Sequence, residues 1–138
     1  MKNCSSIDTD DILFKVITEA INAKVITISG GVYPNNERPA DSTAEDIVIN
    51  TIDLGEDKPQ SGTSNVLIYA SDQKLRIKGR EQRKSARERL REIGDALKDY
   101  FKKQNLADLE FWVELDSVQR EQQVNQHFRN LRIKWNIQ

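Results

Sequence analysis

A chain of 138 residues with 37% hydrophobic and 31% charged residues is sized for one domain around one core, and no run in it approaches the roughly 20 apolar residues of a membrane span. The single cysteine, Cys4, excludes an internal disulfide and a cysteine-rich zinc site. The net charge of −1 conceals an asymmetry: residues 1–72 carry 5 Lys/Arg against 12 Asp/Glu, residues 73–91 carry 9 against 2, and residues 92–138 carry 7 against 8.

Taken in chain order, Met1-Lys2-Asn3-Cys4-Ser5-Ser6 has no apolar run behind it, so a secretory signal is not expected. Asp8, Thr9, Asp10 and Asp11 offer N-cap candidates and first-turn acids, and Ile12, Val16 and Ala20 follow at helical spacing with Leu13, Ile17 and Ile21 beside them. The pattern predicts a helix from about Asp10 to Ala23. Val25-Ile26-Thr27-Ile28, β-branched and ended by Gly30-Gly31, predicts a short extended segment.

An arm follows from Asn35 to Asp46, flanked and interrupted by Pro34 and Pro39, which fix φ and lack a donor. Long irregular connections in compact domains usually have a task. Ile47, Val48, Ile49 and Ile52 then mark a strand over Asp46–Asp53 that is apolar on both faces, and Val66 to Ala70 reads the same way across a loop from Gly55 to Gly62. The two predict an antiparallel hairpin.

Ala86, Leu90, Ile93, Leu97, Tyr100 and Phe101 form a continuous stripe, predicting a second helix from about Glu81 to Lys103. The chain closes with two alternating runs: Leu109, Phe111, Val113 and Leu115, then Leu131, Ile133, Trp135 and Ile137. Phe128 is out of phase with the second run, which predicts a bulge near Arg129-Asn130. The expected register sets Trp112 opposite Arg132 and Glu110 opposite Lys134. The order helix, three strands, helix, two strands, with short connections, predicts one α+β domain over residues 1–138: an antiparallel or mixed sheet of about four to five strands with both helices on one face.

Chemistry has little foothold. His127 is the only histidine, and no local nucleophile or carboxylate cluster accompanies it. Asp8, Asp10 and Asp11 lack the glycine and distal glutamate of a calcium loop. Gly30-Gly31 alone is not a phosphate loop. No catalytic residue, cofactor site or metal site is expected. Ser42-Thr43-Ala44-Glu45 has the spacing of a capping box and predicts a tight bend that aims the chain into the strand at Ile47. The basic run Lys74, Arg76, Lys78, Arg80, Arg83, Lys84, Arg87, Arg89 and Arg91 starts in a connection and lacks interleaved aromatics, so a base-stacking platform is not expected. It suits an acidic protein surface or a phosphate backbone, with the protein surface preferred.

Four segments carry a resemblance: RPADSTAEDIVIN, QSGTSNVLIYASD, RERLREIGDALKDYF and HFRNLRI. Together they resemble the tail-terminator or tail-completion (minor tail protein U-like) proteins of long-tailed phages, in the version carried by prophages of Bacteroides-type bacteria. The resemblance implies a small α+β subunit that assembles, often as a hexameric ring, on the end of the tail tube. It implies itself, the tail-tube protein and the head–tail connector as partners, a lumen through which DNA passes, and no membrane. It places the protein in the host bacterial cytoplasm during assembly and in the virion tail afterwards. Arg38, Asp41, Glu45 and Asp46 match the family's arm-to-strand pattern. With Arg76, Lys78, Arg80, Arg83 and Arg87 of the basic run they are the expected subunit-interface or partner-binding residues. The basic segment itself departs from the family's pattern. A nucleic-acid-binding module using residues 74–91 is the alternative expectation.

Overall fold

A computed structural model of the chain describes residues 3–34, 37–71, 73–77, 80–84, 86–121 and 126–138, with the backbone alone over 73–84. These form α1 (Ser6–Asn22), β1 (Val32–Pro34), β2 (Ile47–Leu54), β3 (Gln60–Ser71), β4 (Gln73–Ile77), β5 (Arg80–Lys84), α2 (Ala86–Lys102), β6 (Leu109–Glu121) and β7 (Gln126–Ile137). Five strands make one mixed sheet in the order β1-β2-β3-β7-β6, while β4 and β5 make a separate two-stranded ribbon. Within the main sheet only β1 and β2 are parallel. The arm is thus the crossover between them. The α+β expectation stands, with both helices on one face and the sheet mixed.

α1 begins earlier than the acidic run implied. Ser5 is its N-cap: the Ser5 hydroxyl accepts from the Asp8 amide while the Asp8 carboxylate accepts from the Ser5 amide, a reciprocal capping box. Asp10 is therefore inside the helix and faces the sheet. At the other end Lys24 adopts φ 59°, the Val25 amide donates to Ala20 O and the Lys24 amide donates to Ile21 O, the pattern of a Schellman cap. That turn uses the residues expected to extend, so no strand forms at Val25–Ile28; Ile26 enters the core with Ile28 packed partly buried against it, and the extended segment moves to Val32–Pro34.

The core is one layer between helices and sheet. Leu13, Val16, Ile17 and Ala20 of α1 and Leu90, Ile93, Leu97 and Phe101 of α2 cover Ile47, Ile49, Val66, Ile68, Leu131, Ile133, Trp135 and Ile137. Each large apolar side chain buried this fully contributes about 1.5–3 kcal/mol. Trp135 is buried because its indole N–H has a partner, donating to Ser64 Oγ at 2.8 Å. Ser64 in turn lies 2.7 Å from the Thr51 hydroxyl, and Thr51 lies 2.8 Å from that of Thr9, so one chain of hydroxyls stitches α1 to the sheet.

Further expectations are corrected. α2 starts at Ala86, because residues 73–77 pair antiparallel with residues 80–84, with Ile77 opposite Arg80. β3 starts at Gln60, so the expected loop from Gly55 to Gly62 ends at Pro59. The bulge lies in β6, between Val113 and Leu115, and β7 runs regularly along β3. The register is also shifted by two from the expected one: Trp112 faces Lys134, and Glu110 faces Asn136. Phe128 is in phase with the outer face, where its ring sits 5.4 Å from that of Tyr69. The residue out of character is Arg129, a buried cation on the core-facing row.

Arg129 fixes α2 to the sheet. Its guanidinium forms a fork on Asp116, with Nε–Oδ1 2.8 Å and Nη2–Oδ2 2.6 Å, reaches Asp95 at 2.9 Å and donates to Leu90 O at 3.1 Å. The guanidinium can lie across the helix because residue 94 is glycine: a β-carbon there would come within 2.3 Å of Arg129 Nη1. Mid-helix glycine otherwise costs about 1 kcal/mol relative to alanine. Gly94→Ala is therefore expected to destabilise the protein by roughly 1–3 kcal/mol through displacement of the guanidinium. In an Arg129→Leu background the same change should be neutral or stabilising by up to about 1 kcal/mol. Urea denaturation of the four proteins measures this; the same effect in both backgrounds would contradict the packing argument.

Candidate functional site

The residues where β2 begins, Glu45 and Asp46, are two of the four buried charged residues among the described ones. In an extended backbone, neighbours point to opposite faces. Glu45 and Asp46, both buried, do so across the sheet. Glu45 accepts from Arg89 of α2 at 2.6 and 2.9 Å and from the Ser29 amide at 3.2 Å. Arg89 also donates to Thr27 O at 2.9 Å, so this fork ties α2 to the segment following α1.

Asp46 faces the arm. Its carboxylate accepts from Arg38 Nε at 2.9 Å, from the Gly31 amide at 2.9 Å and from the Ser42 hydroxyl. Gly30 is needed here for space: a β-carbon on residue 30 would sit 1.9 Å from Asp46 Oδ1 and 2.6 Å from Glu45 O. The glycine pair cradles an anion, and that anion is the chain's own carboxylate. Arg38 lies 4.0 Å above the centre of the Tyr69 ring and donates to Gln126 Oε1 at 3.2 Å. Gln126 Nε2 and Ser71 Oγ donate to the arm carbonyls of Ser42 (2.7 Å) and Thr43 (3.0 Å). Within one chain, the arm closes over the outer face of the sheet at the β2–β3–β7 corner. Val48, flanked in the sheet by Tyr33 and Leu67, is buried on that face. This accounts for a strand that is apolar on both sides.

Of the residues expected from the sequence, the structure brings Arg38 and Asp46 into one ion pair and gives Glu45 a different partner. Asp41 is exposed on the arm. Arg76, Arg80 and Arg83 lie on the β4–β5 ribbon, where only the backbone is described, and Lys78 lies outside the described residues. Arg87 is exposed on the first turn of α2, beside Arg91. Arg129, Asp116 and Gln126 were not singled out, and Arg89 was named only as one of the basic run. The signal for Arg129 was present: it holds the same parity as Leu131, Ile133, Trp135 and Ile137, a charge in a core phase. Among the described residues, no three His, Cys, Asp or Glu side chains are placed to hold a metal ion. His127 sits mid-sheet opposite Ala70 and Arg120.

The titration of these groups follows their partners. Burial alone would raise Asp46, but the hydrogen bonds from Ser42, Gly31 and Arg38 outweigh it and hold the carboxyl below its usual value. The fork from Arg129, opposed by burial and aided by Lys98, holds Asp116 down at about 2. Asp10 goes the other way: burial raises it, despite the hydrogen bonds it accepts from the Thr51 amide and hydroxyl.

No protein-family model and no curated protein matches the chain.

Two stability predictions follow from the signs. Asp46 and Asp116 have depressed folded values, so the stability they contribute is present above the ordinary carboxylate pKa of about 3.9 and is lost as pH falls, the Asp116 share down to about 2. Asp46→Asn is expected to cost roughly 2–4 kcal/mol at pH 7 and less as the pH falls through the native Asp46 pKa. Asp10 has a raised folded value, so its ionisation destabilises as pH rises; Asp10→Asn should gain stability relative to the native chain with rising pH. Chemical denaturation of the three proteins between pH 3 and 7 reads both signs, and parallel curves would refute them.

Proposed function

We propose that the chain is a structural assembly protein of the phage tail-terminator kind, a subunit that joins copies of itself into a ring on the end of a tail tube. The ring ends tube growth and offers its other surface to the head connector. The observation that carries this reading is the β4–β5 ribbon: the basic segment forms its own two-stranded sheet outside the main one, on a chain whose first 72 residues balance at 5 Lys/Arg against 12 Asp/Glu. A basic ribbon on one copy and an acidic flank on the next make a heterologous contact, and repetition of such a contact closes a ring when the rotation permits. The resemblance of the arm, of β3, of α2 and of β7 to tail terminators supports the same reading, with a hexamer as the expected ring. The working location is then the host bacterial cytoplasm during assembly and the virion tail afterwards. Among the described residues no helix is long and apolar enough to cross a membrane.

The ribbon also supports a second reading. A two-stranded antiparallel ribbon fits the major groove of duplex DNA, which is about 12 Å wide, and the Lys/Arg of residues 74–91 would neutralise phosphates. Sedimentation velocity over a wide concentration range, with DNA titrations at several salt concentrations, separates the two. The assembly reading expects species several times larger than 15.9 kDa, a shift of the assembly midpoint of about tenfold or more on Arg80→Glu with Arg83→Glu, and weak DNA binding. A chain that stays monomeric throughout and binds duplex DNA with affinity falling steeply in salt would replace it with the second reading.

A further inference from the structure

The basic ribbon and an acidic corner stand at opposite ends of β3. The ribbon leaves β3 after Ser71. Gln60, at the other end of the strand, holds the start of α1: the Cys4 amide donates to Gln60 Oε1 at 2.8 Å, and Gln60 Nε2 donates to Cys4 O at 2.9 Å. The 12 residues of β3 separate the two ends by about 36 Å. The five-residue strands of the ribbon reach about 16 Å. A ribbon folded back along its own sheet therefore stops short of the corner.

The corner is built from the first turns of α1 and from the second half of β2 with the loop after it. Residues 3–14 and 51–60 hold six Asp/Glu against one lysine. Asp11, Asp53, Glu56 and Asp57 are exposed, while Lys58 donates to Gln138 O at 3.0 Å. Lys15, a turn beyond Asp11, and Lys134, two strands from Asp53, lie at the margins. The two most exposed large apolar side chains among the described residues belong to the same segments: Ile7 at 68% on α1, and Ile52 at 51% in the β2 bulge between Thr51 and Asp53. β1 pairs with Ile47, Val48 and Ile49 and stops before Ile52. A hollow of about 530 Å³ opens between Ser5 and Ser6 at the helix start and Ile52, Asp53, Leu54 and Glu56.

We propose that this corner is the acceptor for the β4–β5 ribbon of a second copy. The proposal rests on the assembly reading above and gives it the surface that the ribbon meets. Charge selects the occupant: residues 73–84 carry six Lys/Arg against one Glu, the inverse of the corner. They also supply Leu75 and Ile77, at alternate positions of β4, for the exposed isoleucines. Distance selects a second copy over the same chain. Because donor and acceptor are different surfaces at opposite ends of one subunit, each contact leaves one ribbon and one corner open, and the contact repeats head to tail.

The test is charge reversal on full chains, read by sedimentation velocity. One variant reverses the corner, Asp53→Lys with Glu56→Lys and Asp57→Lys; the other reverses the ribbon, Arg80→Glu with Arg83→Glu. Each alone is expected to raise the assembly midpoint at least about tenfold. Asp53→Asn with Glu56→Gln, which keeps the side-chain shapes and so the fold, should raise it at least about threefold. Mixed together, the two reversed chains retain one native ribbon and one native corner between them, so they should form a one-to-one pair and nothing larger. Assembly of both corner variants at the native midpoint overturns this inference and leaves the assembly reading standing, as does a mixture of the reversed chains in which both stay monomeric. A native chain that stays monomeric at every concentration overturns the assembly reading and this inference with it.

Discussion

The structure turns on two adjacent carboxylates that point to opposite faces of the sheet. Glu45 reaches Arg89 on α2, and Asp46 reaches Arg38 on the arm. Because strand geometry forces the divergence, a single dipeptide holds the helical layer on one side and the arm on the other. Neither carboxylate is stable in isolation in such a site. Each is held by a forked or multiple set of donors, and each has a glycine or backbone group brought close enough to help. Arg129 repeats the device at the far side of α2, where Asp116, Asp95 and Gly94 make room for it and neutralise it.

These interior pairs decide which surfaces remain for partners. The inner face of the sheet is filled by both helices, and one corner of the outer face is closed by the arm. What stays open among the described residues is unequal: a long edge at β6, and a basic ribbon paired separately from the main sheet. Both features suit a subunit whose work is contact. The proline-marked arm is occupied with its own chain through Asp46, Gln126 and Ser71. The ribbon and the edge are the better candidates for reaching outward.

Much of the architecture was legible because hydrophobic period is a strong signal. The α2 stripe, the alternation of β6 and β7 and the doubly apolar β2 and β3 all appear in the fold. What escaped was set by tertiary context. Residues 73–84 combine helix-favouring Lys, Arg, Glu and Gln with few apolar positions, so a ribbon looked like a connection and a helix start. Phe128 looked misplaced because an aromatic was assumed to be core, whereas the core-phase residue was Arg129 with its counter-ions on α2 and β6. Gly30 and Gly31 read only as the end of an extended segment, and no local pattern announces that a carboxylate 15 residues on will accept from the Gly31 amide.

The claim that most else depends on is that Asp46 folds the arm and the Gly30–Gly31 turn onto the same chain without help from a partner. Native-state hydrogen exchange on dilute, monomeric protein tests it directly. The amides of Gly30, Gly31, Ile47 and Tyr69, which donate to Glu45 O, Asp46 Oδ1, Gly31 O and Asp46 O, are expected to exchange only with global unfolding, and Asp46→Asn should lower the protection of all four together. Fast exchange of Gly30, Gly31 and Ile47 through local opening, while Val66 and Leu131 stay protected, would show that this corner is ordered by a neighbour and would contradict the account.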